Sequence, residues 1–138
     1  MAKTVEAVYK GNLRTAATHL QSGTEILLDA PTDNHGKGES FSPTDLVATA
    51  LGGCMATIMG IASQTHGFDI EGTRMEITKV MASDPRRIAE IRIEFFFPHD
   101  YDAKTKRIIE LAAKQCPVGH SLHPDLLQAV FYHYPTVE

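Results

Sequence analysis

Along this chain, hydrophobic and polar positions alternate, then cluster, then alternate again, and each pattern predicts an element. Residues 4–14 (TVEAVYKGNLR) and 24–30 (TEILLDA) read as strands, with residues 19–23 (HLQSG) as the turn between them. The polar, glycine-bearing stretch PTDNHGKGESF reads as a loop. At SPTDLV several signals for a helix start agree: Ser42 as N-cap, Pro43 at the first helical position and Asp45 at the third, a variant of the capping box. This helix is predicted to run to about Thr65, where His66-Gly67 ends it. GTRMEITKVMA and RIAEIRIEFFF then alternate on either side of Ser83-Asp84-Pro85 and predict a hairpin, its phenylalanine run a buried strand rather than a cofactor contact. Residues 102–115 (DAKTKRIIELAAKQ) set Ile108, Leu111, Ala112 and Gln115 at helical spacing, PVGHSL is a short turn of helix, and LLQAVFYHY closes the chain as a strand.

Strands, helix, hairpin, helix, helical turn and strand in that order make an α+β chain, expected as a single domain over residues 1–138 because no repeat or linker interrupts it. The first helix is the oddity. Leu46, Val47, Ala50, Leu51, Cys54, Met55, Ile58, Met59 and Ile61 cover most of its circumference, and a helix apolar all round must be buried all round. Two helices and about five strands are too little material to wrap it. An obligate homodimer with this helix near its centre is therefore expected. The apolar run over residues 46–62 falls short of the ~20 residues that span a bilayer, so it reads as a buried helix and no membrane is expected.

Charge changes the picture only by exclusion. The formal net charge is -4, and Lys and Arg come in ones and twos without a basic stripe, so nucleic acid is not an expected partner. MAKTVEAVYK has no apolar core or small-residue cleavage site of a signal peptide, and a cytoplasmic location is expected. In a reducing compartment the two cysteines, Cys54 and Cys116, would form only a transient disulfide.

Each cysteine has a bland reading beside a reactive one. Cys116 precedes Pro117 and so stands at the N-cap of the short helical turn, where the helix dipole is expected to lower its pKa; it is otherwise a capping or packing residue. Cys54 sits in an apolar helix, where burial makes a thiol inert unless a cation is brought to it. Arg14, in GNLRTAATH, is the best candidate for that cation, and is otherwise an ordinary exposed strand residue. Cys116, His120 and His123 could join Cys54 around a metal, but their spacing fits no standard zinc pattern, and neither metal nor cofactor is expected. His19, His66 and His133 read as surface or turn residues.

Two segments carry a resemblance. FSPTDLVATALGGCMATIMGIA, followed farther on by AAKQCPVGHSL, is similar to the osmotically inducible protein C / organic hydroperoxide resistance (OsmC/Ohr) family, on its OsmC-like branch, and the likeness extends over nearly the whole chain. It implies an OsmC-like fold, with antiparallel sheets around a long buried central helix in an intertwined homodimer. It implies thiol-dependent reduction of peroxides, organic ones above all. By position, Cys54 would be the peroxidatic thiol and Cys116 the thiol that resolves it as a disulfide, with Arg14 stabilising the thiolate. The partners implied are an organic hydroperoxide and a dithiol reductant, lipoyl rather than thioredoxin.

The chain departs from the family where Thr44 occupies the position of a glutamate at the start of the helix. Asp45, the next residue, is the candidate substitute. In a regular helix it lies nine residues and ~13 Å from Cys54, so it could act only through Arg14, and the alternative is a capping role alone. This departure keeps a second function open: an OsmC-like dimer without significant peroxidase activity that binds a small apolar ligand.

Overall fold

The computed structural model describes residues 1–136, in two compact units that meet in sequence between Val47 and Ala48. The N-terminal unit is an antiparallel sheet of three strands, β1 (Val5–Gly11), β2 (Arg14–His19) and β3 (Glu25–Asp29), in the order β1-β2-β3. The single strand expected over residues 4–14 is thus corrected to a hairpin. Asn12 and Leu13 take φ values of 55° and 61°, so the chain reverses in a two-residue turn of the kind that matches strand twist. Leucine is a poor residue for that region of φ, and its neighbours hold it: its N–H donates to the Tyr9 hydroxyl at 3.2 Å and its carbonyl accepts from the Ala30 N–H at 3.1 Å. The next turn lies where it was expected, with the Gly23 N–H donating to the His19 carbonyl at 2.7 Å.

The loop after β3 contains a short 3-10 turn, Thr32–Asn34. It folds back so closely that a Cβ on Gly36 would lie 1.8 Å from the Ala30 carbonyl oxygen.

Helix α1 runs over Pro43–His66, 24 residues. Its start is a reciprocal box: the Ser42 hydroxyl accepts the Asp45 N–H at 3.0 Å while the Asp45 carboxylate accepts the Ser42 N–H at 2.9 Å. Its end is Gly67 at φ 75°, whose N–H and that of Phe68 both donate to the Ser63 carbonyl. At 24 residues and a mean hydropathy of 1.7, α1 is long and apolar enough by length and composition to cross a membrane, which a count over residues 46–62 alone understates. Within its own chain α1 buries one stripe, Ala48, Leu51, Gly52, Met55, Met59 and Ser63. At Gly52 the helix approaches the sheet so closely that a Cβ would lie 2.7 Å from Ile77 Cδ1. Burial all round, as the sequence suggested, is not reached within one chain: Ala50 is exposed and Ile61 is 55% exposed.

The C-terminal unit carries a second three-stranded sheet, β4 (Arg74–Ala82), β5 (Arg87–Phe96) and β6 (Leu127–His133), in the order β4-β5-β6. Strand β5 is central. Ile91, Ile93, Phe95 and Phe97 point inward and are buried, while Arg92, Glu94 and Phe96 lie on the other face, as the period of two predicts. The expectation of antiparallel sheets is met in the first sheet and in the β4-β5 hairpin but is corrected at β6, which pairs with β5 in parallel. The cause is the crossover through α2 (Ala103–Lys114) and α3 (Pro117–Ser121), which lets β6 run the same way as β5. In α2 the buried stripe is Ile109, Ala112 and Ala113, not the expected Ile108, Leu111, Ala112 and Gln115; Leu111 is 51% exposed. Adjacent isoleucines offered two overlapping stripes, and the one that leads on to buried Cys116 is the one used.

Candidate functional site

Each unit carries one pair of candidate residues. In the C-terminal unit, Cys54 lies half-buried on α1 and Cys116, 1% exposed, caps the N-terminus of α3. Both are free thiols. The Cys116 sulfur accepts the Gly119 N–H at 3.4 Å, and it stands 4.0 Å from the Leu51 carbonyl of α1, a long, weak contact. The turn that carries this cap is itself fastened, since the Gln128 side-chain amide on β6 donates to the Gly119 carbonyl at 2.9 Å.

Cys116 lies against Cys54, and this contact sets its chemistry. Burial, and then the hydrogen bond to Cys54, push the Cys116 thiol above its ordinary pKa. The Gly119 and Val118 N–H groups act in the opposite direction and are outweighed. The lowering expected from the helix dipole is therefore corrected: a five-residue helix supplies less than the loss of water takes away. These effects favour the protonated form of Cys116.

In the N-terminal unit, Arg14 opens β2 and stands opposite Asp29, the last residue of β3. Its guanidinium grips the Asp29 carboxylate with two hydrogen bonds, both 2.8 Å, and lies 3.7 Å from Glu39. Asp29 is only 3% exposed and also accepts the Glu39 N–H at 3.0 Å. The Arg14 hydrogen bonds, aided by the Glu39 N–H, outweigh the cost of burial and bring the Asp29 carboxyl down to about 2. The same pairing raises the pKa of Arg14 above its ordinary value.

Asp45 was expected either to cap α1 or to act through Arg14. It takes part in the capping box with Ser42, whose hydroxyl also lies 3.3 Å from that of Thr44. The carboxylates paired with Arg14 are Asp29 and Glu39. Both were missed. The available signal was an aspartate ending the otherwise apolar EILLD, but it points to Arg14 only once β2 is recognised and the register of β2 on β3 is fixed. Among the described residues no three His, Cys, Asp or Glu side chains gather where they could hold a metal ion. His123 instead accepts the Asp125 N–H at 3.0 Å.

With the two thiols in contact at the junction of α1 and α3 and the fold described, the comparisons place the chain. The model of the OsmC-like protein family matches residues 36–126, and the chain belongs to that family. It is 52% identical to a Psychrobacter arcticus protein assigned to the osmotic stress and detoxification response, with a TM-score of 0.93 over 96% of this chain and 97% of that one. An OsmC-like protein from Mycoplasma pneumoniae shares the fold at 18% identity and a TM-score of 0.80, covering 99% of each chain. An organic hydroperoxide resistance protein from Legionella pneumophila does so at 12% identity and a TM-score of 0.75, over 96% of this chain and 98% of that one. No curated protein matches the sequence.

Proposed function

We propose that this chain is a thiol-dependent peroxidase that reduces organic hydroperoxides, with Cys54 as the peroxidatic and Cys116 as the resolving thiol. The observation that carries the reading is that the two cysteines are free and lie against each other, with Cys116 buried and Cys54 half-buried. The Cys54 thiolate attacks the distal oxygen of ROOH; the O–O bond breaks, the leaving alkoxide takes a proton from solvent and departs as ROH, and Cys54, now bearing the distal hydroxyl, becomes a sulfenic acid. Cys116 then attacks that sulfur, and its proton leaves with the hydroxyl as water while the disulfide forms. A dithiol reductant reopens the disulfide and is itself oxidised, which restores both thiols. Arg14 serves in this reading as the cation for the Cys54 thiolate, and Asp29 takes the part of the missing glutamate by holding Arg14 in one orientation. Met55 and Met59, buried beside Cys54 on α1, favour an alkyl hydroperoxide over hydrogen peroxide. The working unit is a homodimer that covers the half-exposed flank of α1.

Reduced protein treated with one equivalent of cumene hydroperoxide should lose two titratable thiols within one chain. Cys54→Ser should show no fast oxidation. Cys116→Ser should still consume peroxide, stop at the sulfenic acid and move on to the sulfinic acid with excess, because nothing captures the intermediate. A wild type that reacts no faster than a free thiol would sink the reading and leave the ligand-binding dimer, which the Thr44 departure favours.

A further inference from the structure

A cavity of about 400 Å³ opens between the inner face of β6 and the helices of the C-terminal unit. This is within the ~300–1,000 Å³ of small-molecule sites, and neither sulfur lines it. Its floor is apolar: Met55 and Ala113 are 3% and 2% exposed, and Val130 completes it from β6. Its rim carries Lys114 and His120, both exposed. The other polar side chains are those of Tyr132 and Gln128. The Tyr132 hydroxyl, pushed up to about 12 by burial and then by Glu110, keeps its proton, and the Gln128 amide is committed to Gly119.

The charge pattern decides what fits. In a chain with 17 acidic against 13 basic residues, this cavity has no aspartate or glutamate in its lining, and Lys114 makes no ion pair among the described residues. Glu110 acts on Tyr132 from beyond the lining and accepts the Tyr134 hydroxyl at 3.2 Å, which leaves the Tyr132 end unfavourable for an anion. An anionic head group therefore belongs at the Lys114 and His120 rim, with an apolar tail toward the floor. We propose that this cavity binds a medium-chain monocarboxylate, its head group at Lys114 and His120 and its chain over Met55, Ala113 and Val130. Neither thiol lines this cavity, although Met55 follows Cys54 on α1 and Gly119 caps the Cys116 sulfur, and the proposal stands whether or not the chain is a peroxidase.

Sodium octanoate and octan-1-ol, equal in chain length and different in head group, are the probes. Titrated into isotope-labelled full-length protein, octanoate should give saturable amide shifts at Gly119, Gln128 and Val130, and octan-1-ol should bind at least about tenfold more weakly, the worth of ~1.4 kcal/mol. Lys114→Glu, at an exposed position where folding is not at stake, should weaken octanoate by about tenfold or more, whereas Lys114→Arg should leave it within a few-fold. Equal binding of alcohol and acid, shifts that map elsewhere, or octanoate binding untouched by Lys114→Glu would overturn the assignment.

Discussion

Arg14 and Asp29 face each other across β2 and β3 and are joined by two hydrogen bonds of 2.8 Å. Two parallel bonds fix a guanidinium in plane as well as in place, which one charge contact does not. An arginine required to present its remaining N–H groups in one direction needs such a clamp. Here the carboxylate comes from the sheet that carries the arginine, one strand away.

That clamp should be visible in acid. The folded-state value of Asp29 is about 2, against an ordinary 3.8, so its contribution to stability is present above 3.8 and is lost as pH falls through about 2. Asp29→Asn should be less stable than wild type at neutral pH, and the gap should close over that window. Chemical denaturation at a series of pH values measures it, and a gap that does not change with pH would show that the carboxylate is not paired as described.

Gly36→Ala tests the loop that brings Glu39 to Asp29. A Cβ there would lie 1.8 Å from a backbone oxygen of Ala30, and backbone cannot rotate away as a side-chain tip can. The expected cost is about 1–3 kcal/mol, read as a lower denaturation midpoint with an unchanged slope.

How much of this was legible in the sequence follows from what each residue pattern could say. The caps of α1 and the alternation of β5 are local signals and were read correctly at Ser42, Asp45 and Gly67 and at Ile91, Ile93 and Phe95. Strand β2 was not, because RTAATH has small and polar residues where alternation would need large apolar ones, and its only marker was the Gly11-Asn12 turn pair. With β2 went Asp29, whose meaning depends on a register that no single segment contains. The direction of β6 was equally hidden, since a strand's own residues do not record whether its neighbour runs parallel.

Gly60 on α1 tests the dimer. A Cβ at this position would meet nothing within 4 Å in its own chain. In a monomer, Gly60→Leu should stabilise the helix by roughly 0.8–1 kcal/mol, the propensity difference for a helix interior. In a dimer with α1 packed on its copy, the same side chain should force the subunits apart or lower the unfolding midpoint. Sedimentation of wild type and variant at equal concentration separates the two, and a wild type that sediments as a folded monomer would refute the homodimer.

The last prediction concerns the order in which the thiols react. Cys116 is buried and its pKa lies above the ordinary thiol value, so at mildly alkaline pH it offers less thiolate than a free cysteine and offers it behind a closed turn. Cys54 is half-buried. Iodoacetamide should therefore modify Cys54 first in reduced wild type, as peptide-resolved mass spectrometry would show. The turn that covers Cys116 is held by the Gln128 amide on the Gly119 carbonyl, and the Gly119 N–H in turn caps the Cys116 sulfur. Gln128→Ala should cost about 0.5–1.5 kcal/mol in stability, the net worth of one such hydrogen bond, and it should loosen the cap. Alkylation of Cys116 should then accelerate relative to Cys54, while disulfide formation after peroxide slows because the resolving sulfur is less firmly aimed. A wild type in which Cys116 reacts first would contradict the burial argument. An unchanged ratio in Gln128→Ala would show that the turn is held by something other than this bond.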